Sequence, residues 1–223
     1  MHASASGPVE ARLRRTSGLA AVCFSLYVSL VFALHFLPTG YDPAVNFVSE
    51  YAIGPFGWAL TIALVALAGG GAGLLSAMQA SGPAPLRSVA GGLVAVWIVM
   101  TVLLAIFPVD PIQVAFAESG SPHFSRAGWI HALAGMIGSV ALMTSMALVS
   151  VRLAPTLGLD GYRRILLALT ATAILGYGAM LATRPGTFPA GLYQRVYLAS
   201  STAWLLIVAL ELRTGRPGAG SDR

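Results

Sequence analysis

Six long apolar runs dominate this sequence of 223 residues and constrain its fold more than any other feature. Each run is close to the roughly 20 apolar residues that a helix needs to cross a lipid bilayer. Because the runs are continuous rather than alternating in polarity, they predict membrane-spanning helices and not the strands of a membrane barrel. Clusters of Pro and Gly, which end helices, separate the runs. The runs cover residues 17–37, 57–80, 89–107, 128–151, 165–182 and 192–212.

The composition excludes the soluble classes of protein. Hydrophobic residues make up 57% of the chain and charged residues only 9%, whereas a soluble domain carries about 25% charged residues. The 13 basic residues are all Arg and form no large cluster, so we expect a lipid bilayer and no nucleic acid as partner. We predict an all-α fold, a polytopic membrane helix bundle with six transmembrane helices and short interfacial helices in the first and third outer loops.

The Arg residues are distributed unevenly between the two sides of the predicted bundle. Ten lie before the first run, after the last run or in the second and fourth loops, and three lie on the opposite side. The positive-inside rule then predicts that both termini lie in the cytoplasm and that the first, third and fifth loops face outward. This divides the chain into a cytoplasmic segment 1–16, a six-helix transmembrane domain 17–212 in the cell (inner) membrane, and a cytoplasmic tail 213–223.

The first run is preceded by Arg residues, as the apolar core of a signal peptide would be. It is longer than the roughly 7–15 residues of such a core, and no small-x-small cleavage site follows it. We therefore expect this run to be retained as a membrane span.

Glycines within the spans indicate close helix packing. The second run contains Gly69-Gly-Gly-Ala-Gly73, which includes a Gly-x-x-x-Gly spacing, and the fourth contains Gly135 and Gly138. Small residues let membrane helices approach each other closely. We interpret them as contacts within one bundle, with a dimer interface as the alternative.

Carboxylates and imidazoles gather at the predicted outer face, near the ends of the first four spans. In the first outer loop, Asp42 followed by Pro43 is typical of a helix start. A helix from there would place Asn46, Ser49 and Glu50 on one face with the cap residue, which predicts a short amphipathic helix at the membrane surface. Either this polar face lies in water, or Ser49 and Glu50 turn toward the mouth of the bundle.

Polar groups also mark the third outer loop and the span that follows it. Asp110, with Gln113 three residues later, favours a cap for a second short helix. His123 and His131 are eight residues apart and share a face only if the stretch between them is helical. His131 lies one turn inside the fourth span, on the side of its small residues, and an ionisable group within a span marks a functional site by default. The alternative is a neutral imidazole that hydrogen-bonds to a neighbouring helix.

The sixth span begins with Gln194 and Arg195 about one turn inside its outer end. Arg195 can extend to lipid phosphate, pair with Glu50 or Asp110, or hold an anionic ligand by a bidentate contact. We take Glu50, Asp110 and His131 as the catalytic candidates. The candidate ligand-binding residues are Asn46, Ser49, His123, Gln194 and Arg195.

Four short motifs are spread along nearly the whole chain. They are Asn46-x-x-Ser-Glu50, Phe107-Pro-x-Asp110, His131 at the start of the fourth span, and Gly191-Leu-x-Gln-Arg195. Together they resemble the "domain of unknown function 998" family of bacterial and archaeal membrane proteins. This resemblance implies a membrane location and about six spans, with no established activity. A more distant similarity, to the eukaryotic Frag1/DRAM/Sfk1 group with its Ser-acid pair in the first outer loop, implies lipid-related work.

Three functions fit these residues. A lipid hydrolase would use Ser, carboxylates and His at one membrane face, with a zinc ion at His131 to activate water. The sequence lacks, however, the late His-x-x-x-His pair of alkaline-ceramidase-like hydrolases. A small-solute transporter is the second, but the middles of the spans carry only neutral polar residues, whereas ion-coupled carriers place ionisable groups there. The third is a non-catalytic protein whose outer polar pocket binds a lipid or other amphiphile. It needs the fewest assumptions, and the sequence requires no cofactor.

Overall fold

The computed structural model describes residues 7–80, 84–116, 123–155 and 157–214. These residues form seven α-helices and no strand, and six of the helices are long and apolar enough to cross a membrane. The predicted all-α fold with six spans is thereby confirmed. The helices are α1 (Pro8–Leu34), α2 (Gly57–Ala80), α3 (Ala84–Ile106), α4 (Ile112–Ala115), α5 (Arg126–Leu148), α6 (Arg163–Ala182) and α7 (Ala190–Thr214).

The first helix is longer than the first apolar run. α1 begins at Pro8, where proline fits because the first N–H groups of a helix have no partner within it. Residues 8–16 therefore continue the helix of the first apolar run toward the N-terminus, with an exposed Arg14–Glu10 ion pair of 3.1 Å on its surface. The predicted tail lies outside the described residues from residue 215 onward, as does Glu118 of the third outer loop.

The helices pack mainly on their neighbours in the chain. α1 packs on α2, α2 on α3, α3 on α5 and α6 on α7, and α7 packs back on α1. The exception is the pair α5 and α6, which have few contacts with each other. The helices α1, α3 and α6 all terminate at the same end of the bundle, and we call this end the site end. The opposite end carries the start of α1 and the end of α7.

Glycines of α2 allow its close contacts with both neighbours. A Cβ at Gly70 would lie 2.5 Å from the ring of Phe24 in α1, and a Cβ at Gly71 would lie 2.7 Å from the ring of Trp97 in α3. The prediction that this glycine cluster packs within one bundle is confirmed for these contacts.

A buried hydrogen-bond network joins three helices at the opposite end. A π-helical turn, Val149–Leu153, extends α5, and its Ser150 accepts a hydrogen bond from Trp204 Nε1 of α7 at 3.0 Å. The Ser150 hydroxyl also lies 3.3 Å from the Thr170 hydroxyl of α6. Since all three side chains are buried, this network holds α5, α6 and α7 together far from the site end.

The first connection at the site end differs from the predicted amphipathic helix. Residues 42–46 form a turn, Phe47 is extended, and a separate 3₁₀ helix covers Val48–Ile53. The prediction of one continuous helix from Asp42 is wrong because the carboxylate of Glu50 accepts the Phe47 N–H at 2.8 Å. This bond stabilises the break in the helix and turns Glu50 inward.

The short helix predicted in the third outer loop is present as α4, but its cap differs from the prediction. Pro111, and not Asp110, is its N-cap, with no side-chain cap hydrogen bond. Asp110 instead binds Ser125, the N-cap of α5: Oδ2 accepts the Ser125 N–H at 2.7 Å and Oδ1 accepts its hydroxyl at 2.8 Å. The predicted capping of α4 by Asp110 is therefore wrong, because the carboxylate is used to fix the start of α5.

Candidate functional site

Glu50 forms the centre of a polar cluster at the site end. Its side chain is only 1% exposed. Oε2 accepts the Phe47 N–H and, at 3.1 Å, Asn46 Nδ2, while Oε1 accepts the N–H of Ile112 in α4 at 3.4 Å. A carboxylate so buried requires such donors. Glu50 therefore links the first connection to the loop that follows α3.

Arg195 of α7 donates four hydrogen bonds to groups of its own chain. Nη1 donates to the carbonyl oxygens of Asn46 and Gly191 at 2.8 and 3.0 Å. Nη2 donates to the Tyr51 hydroxyl at 3.3 Å, and Nε donates to His35 Nε2 at 2.8 Å. No carboxylate of the described residues lies within ion-pair distance of this guanidinium. Arg195 thus ties the start of α7 to the first connection and to the end of α1.

The Arg195 contact fixes the protonation of His35. His35 Nδ1 lies 2.7 Å from the carbonyl oxygen of Val31. A carbonyl can only accept, so Nδ1 carries the hydrogen and Nε2 offers its lone pair to Arg195. His35 is therefore a neutral imidazole in this arrangement.

Aromatic rings cover the same cluster. The rings of Tyr51 and His35 are 5.6 Å apart, and those of Tyr51 and Tyr41 are 5.7 Å apart, both edge to face. Burial raises the pKa of the Tyr41 phenol, and the negative charge of Glu50 raises it further. Tyr41 therefore keeps its proton at neutral pH.

The start of α7 docks closely on the first connection. The Gly191 N–H donates to the carbonyl of Ala44 at 3.1 Å, and a Cβ at Gly191 would lie 2.5 Å from the carbonyl oxygen of Pro43. One turn further, Gln194 Oε1 accepts the Val48 N–H at 2.6 Å. Only glycine permits this approach without a shift of the backbone.

A similar close approach sets the start of α5. A Cβ at Gly128 would collide with the Asp110 carboxylate, which is held against Ser125 as described above. One turn further, His131 is 7% exposed, and its Nδ1 lies 2.7 Å from the carbonyl oxygen of Phe107. Nδ1 therefore carries the hydrogen when the imidazole is neutral, and Nε2 is the nitrogen left for other contacts.

Beside this cluster the helices enclose a cavity of about 380 Å³. Side chains of all seven α-helices and of the 3₁₀ helix line it, and most of them are apolar. No Asp, Glu or Arg of the described residues is among them. The polar residues that reach the cavity are Tyr27, Ser49, Thr101, His131, Ser139, Tyr177, Gln194 and Tyr197.

The cavity extends from the site end toward the middle of the bundle. Along α5 its lining runs from Gly128 to Ser139. Ser139, Tyr177 and Tyr197 bring hydroxyl groups to the lining. The cavity is therefore a mostly apolar channel with a few hydroxyl groups along it.

The predicted site residues fall into separate groups. The cluster around the first connection unites Asn46, Glu50, Gln194 and Arg195. The cavity is reached by Ser49, His131 and Gln194. Asp110 lies at the start of α5. His123 is exposed at the site end and is not part of the cavity lining; its backbone N–H donates to Ala115.

The described residues do not fit a zinc site. No three side chains of His, Cys, Asp or Glu among them lie close enough to hold a metal ion. His131, the residue considered for zinc, has a backbone carbonyl on one nitrogen and belongs to no such group of three among the described residues. The expectation of a metal at His131 therefore gains no support from the geometry.

Sequence reasoning missed several residues of this region. His35 and Tyr51 bind Arg195, and Trp97 and Met100 of α3 line the cavity. The signal for His35 was available, because His35 and Arg195 lie at the same predicted membrane depth. No sequence signal distinguishes the cavity-lining apolar residues from those that face lipid.

A known protein family matches most of the chain. Residues 21–211 match the family described as "Protein of unknown function (DUF998)". No curated protein and no solved structure matches the chain.

Proposed function

Since this chain belongs to the DUF998 family, whose function is unknown, we propose that it is a non-catalytic lipid-binding protein of the cell membrane. It holds a lipid or other amphiphile in the cavity, with the polar part of the ligand at the site end. The site end faces the extracytoplasmic side, as the distribution of Arg predicts.

The observation that carries this proposal is the cavity itself. Its volume of about 380 Å³ lies within the range of ligand pockets, about 300–1,000 Å³. Ligand pockets are mostly apolar with a few polar groups that orient the ligand, and Ser49, Gln194 and His131 supply such groups here. A molecule with a hydrocarbon part and a polar head matches this lining.

No specific contact favours the hydrolase or the transporter. The carboxylates of Glu50 and Asp110 bind backbone and side-chain donors of their own chain, and neither lines the cavity. Arg195 is engaged in the same way. These groups support the architecture of the site end, and the cavity binds by apolar contact.

Filling the cavity tests the proposal. Gly135 lines the cavity, and a Cβ there would have only Leu104 Cδ2 within 4 Å, at 3.9 Å, so Gly135→Leu adds its side chain where the ligand lies. Because the leucine side chain occupies part of the ligand's volume, we expect about tenfold less lipid bound per protein, which corresponds to about 1.4 kcal/mol of binding free energy. The measurement is lipid extraction and mass spectrometry of protein purified in mild detergent.

Gly178→Leu is the matched control. Gly178 is exposed on α6 and does not line the cavity, and a Cβ added there would meet no atom within 4 Å. This variant should retain the parent's bound lipid. Equal lipid content in the parent, Gly135→Leu and Gly178→Leu proteins would refute a binding site in the cavity.

A further inference from the structure

We infer the class of the ligand and its route of entry: an anionic phospholipid of the leaflet at the site end, one acyl chain of which enters sideways between α5 and α6. Its phosphate is held by Arg126 and Arg184. This inference rests on the proposed lipid binding and specifies which lipid is bound and how it reaches the cavity.

The route follows from which lining residues are exposed. Trp129, Leu133 and Met136 of α5 line the cavity yet are 45–47% exposed, and Leu181 of α6 lines it and is 62% exposed. A side chain that meets both the cavity and the outer surface marks an opening. Because α5 and α6 have few contacts with each other, the cavity opens between them toward lipid.

The depth of the cavity suits a chain from one leaflet. Its lining along α5 runs from Gly128 to Ser139, about 16 Å at the helical rise of about 1.5 Å per residue. One leaflet contributes half of a hydrocarbon core of about 30 Å. An acyl chain can therefore move sideways into the cavity without a change in depth.

The size and charge of the cavity decide which part of the lipid enters. A volume of about 380 Å³ is near the lower limit for ligand pockets, which favours one chain over two. The lining contains no Asp, Glu or Arg of the described residues, so a charged headgroup inside it would lose its hydration without gaining an oppositely charged side chain of these types. The headgroup and the second chain therefore stay outside the opening.

Two Arg residues lie beside the opening at headgroup level. Arg126 is the first residue of α5, and Arg184 follows the end of α6. Arg184 Nη2 donates to the carbonyl oxygen of Phe116 at 3.0 Å. A row of edge-to-face rings then leads back to α5, since Phe116 and Phe124 are 5.5 Å apart and Phe124 and Trp129 are 5.1 Å apart.

Both guanidinium groups are available to a ligand. Arg126 and Arg184 are exposed, and neither forms an ion pair within the described parts of the chain. A guanidinium has five N–H donors in a geometry that suits phosphate oxygens. Charge complementarity at the opening therefore selects an anionic phosphate headgroup over a zwitterionic one.

Tryptophan quenching by brominated lipid chains tests this inference. Trp97 lines the cavity and is 5% exposed, whereas Trp204 is 1% exposed and does not line it. Trp58→Phe with Trp129→Phe removes the two exposed indoles and leaves these two. In phosphatidylcholine vesicles with a minor fraction of chain-brominated phosphatidylglycerol, we expect the fluorescence of Trp97 to be quenched and that of Trp204 to remain. Adding Trp97→Phe should abolish this quenching.

The headgroup is tested with Arg variants of the same reporter protein. Each Arg near a charged surface contributes about 1 kcal/mol, or about fivefold in affinity. Arg126→Gln and Arg184→Gln should each raise the brominated phosphatidylglycerol fraction needed for half-maximal quenching about fivefold, and Arg184→Lys should do so less. Arg163→Gln is the matched control, because Arg163 is exposed and donates to the backbone carbonyl of Val151 at the opposite end.

The outcomes separate the two proposals. Equal quenching by brominated phosphatidylcholine and brominated phosphatidylglycerol, unchanged by the Arg variants, would overturn the anionic headgroup and leave lipid binding intact. No quenching of Trp97 by either lipid would overturn entry from the membrane. If bound lipid is then also unaffected by Gly135→Leu, the proposed function fails as well. Because the bromines are on the chain, free phosphate gives no signal.

Discussion

The charged residues at the site end act on the backbone of their own chain. Glu50 receives two backbone N–H groups and one amide, and Arg195 gives hydrogen bonds to two backbone carbonyls. In a membrane protein, backbone groups outside helices need such partners because lipid supplies none. These side chains therefore stabilise the irregular connections between the long helices, beside a cavity that they do not enter.

Substitution of Gly128 tests the contact between the Asp110 carboxylate and the start of α5. Gly128→Ala should lower the free energy of unfolding by about 1–3 kcal/mol, because the new methyl group displaces the Asp110 carboxylate from Ser125. In an Asp110→Ala background the same change should cost much less, since the two effects share one contact. Equilibrium unfolding in mixed detergent micelles measures both.

Gly178→Ala is the control for this cycle. Gly178 has no atom within 4 Å of an added Cβ, so alanine should be neutral or stabilising by up to about 1 kcal/mol. If the losses of unfolding free energy for Gly128→Ala and Asp110→Ala are additive in the double variant, the added methyl group does not act through the Asp110 carboxylate.

Sequence reasoning identified Glu50, His131 and Arg195 as residues of the site end, but not the partners of Arg195. The inward orientation of His131 follows from the small-residue face of its helix, and the structure places it against the cavity. The contacts of Arg195 with His35 and Tyr51 join residues more than 140 positions apart. Such pairs depend on how helices pack, which helical periodicity alone does not specify.

At the scale of elements, span length was predictable and loop conformation was not. The thickness of the bilayer sets the length of each apolar run, so the six long helices follow directly from the runs. The turn before the 3₁₀ helix depends on hydrogen bonds to Glu50, which compete with the helix that Asp42-Pro43 would begin. For Asp110 the sequence predicts a local role as the cap of α4. In the structure its carboxylate instead accepts hydrogen bonds from Ser125, 15 residues later in the chain.

The network around Ser150 holds the far ends of α5, α6 and α7 together. We expect Ser150→Ala to lower the free energy of unfolding by about 1–3 kcal/mol, because it leaves the buried Trp204 Nε1–H without its partner. Trp204→Phe in the Ser150→Ala background should add less than it costs alone. Unfolding in mixed micelles provides the comparison.

Thr144→Ala is the matched hydroxyl deletion. Thr144 is exposed on α5 and donates only to Val140 of its own helix, so its loss should change stability by about 0.5 kcal/mol or less. A loss for Ser150→Ala no larger than that for Thr144→Ala would contradict a joining role for the network.

At the scale of the whole molecule, charge is sorted between the two ends. The described Arg residues at the site end are Arg126, Arg184 and Arg195. Those at the opposite end are Arg12, Arg14, Arg15, Arg87, Arg152, Arg163, Arg164 and Arg213. The positive-inside rule relates such an excess to the cytoplasmic side, which would direct the cavity to the outer leaflet.

Cysteine labelling in intact cells tests this orientation. In a Cys23→Ser background, Phe188→Cys places a thiol at the site end, where Phe188 is 70% exposed. Gly161→Cys places one at the opposite end, where an added Cβ meets no atom within 4 Å. A membrane-impermeant maleimide should label Phe188→Cys in intact cells and Gly161→Cys only after permeabilisation, while the Cys23→Ser parent stays unlabelled in both. The reverse pattern would place the cavity in the cytoplasmic leaflet, because the six helices fix both ends relative to each other.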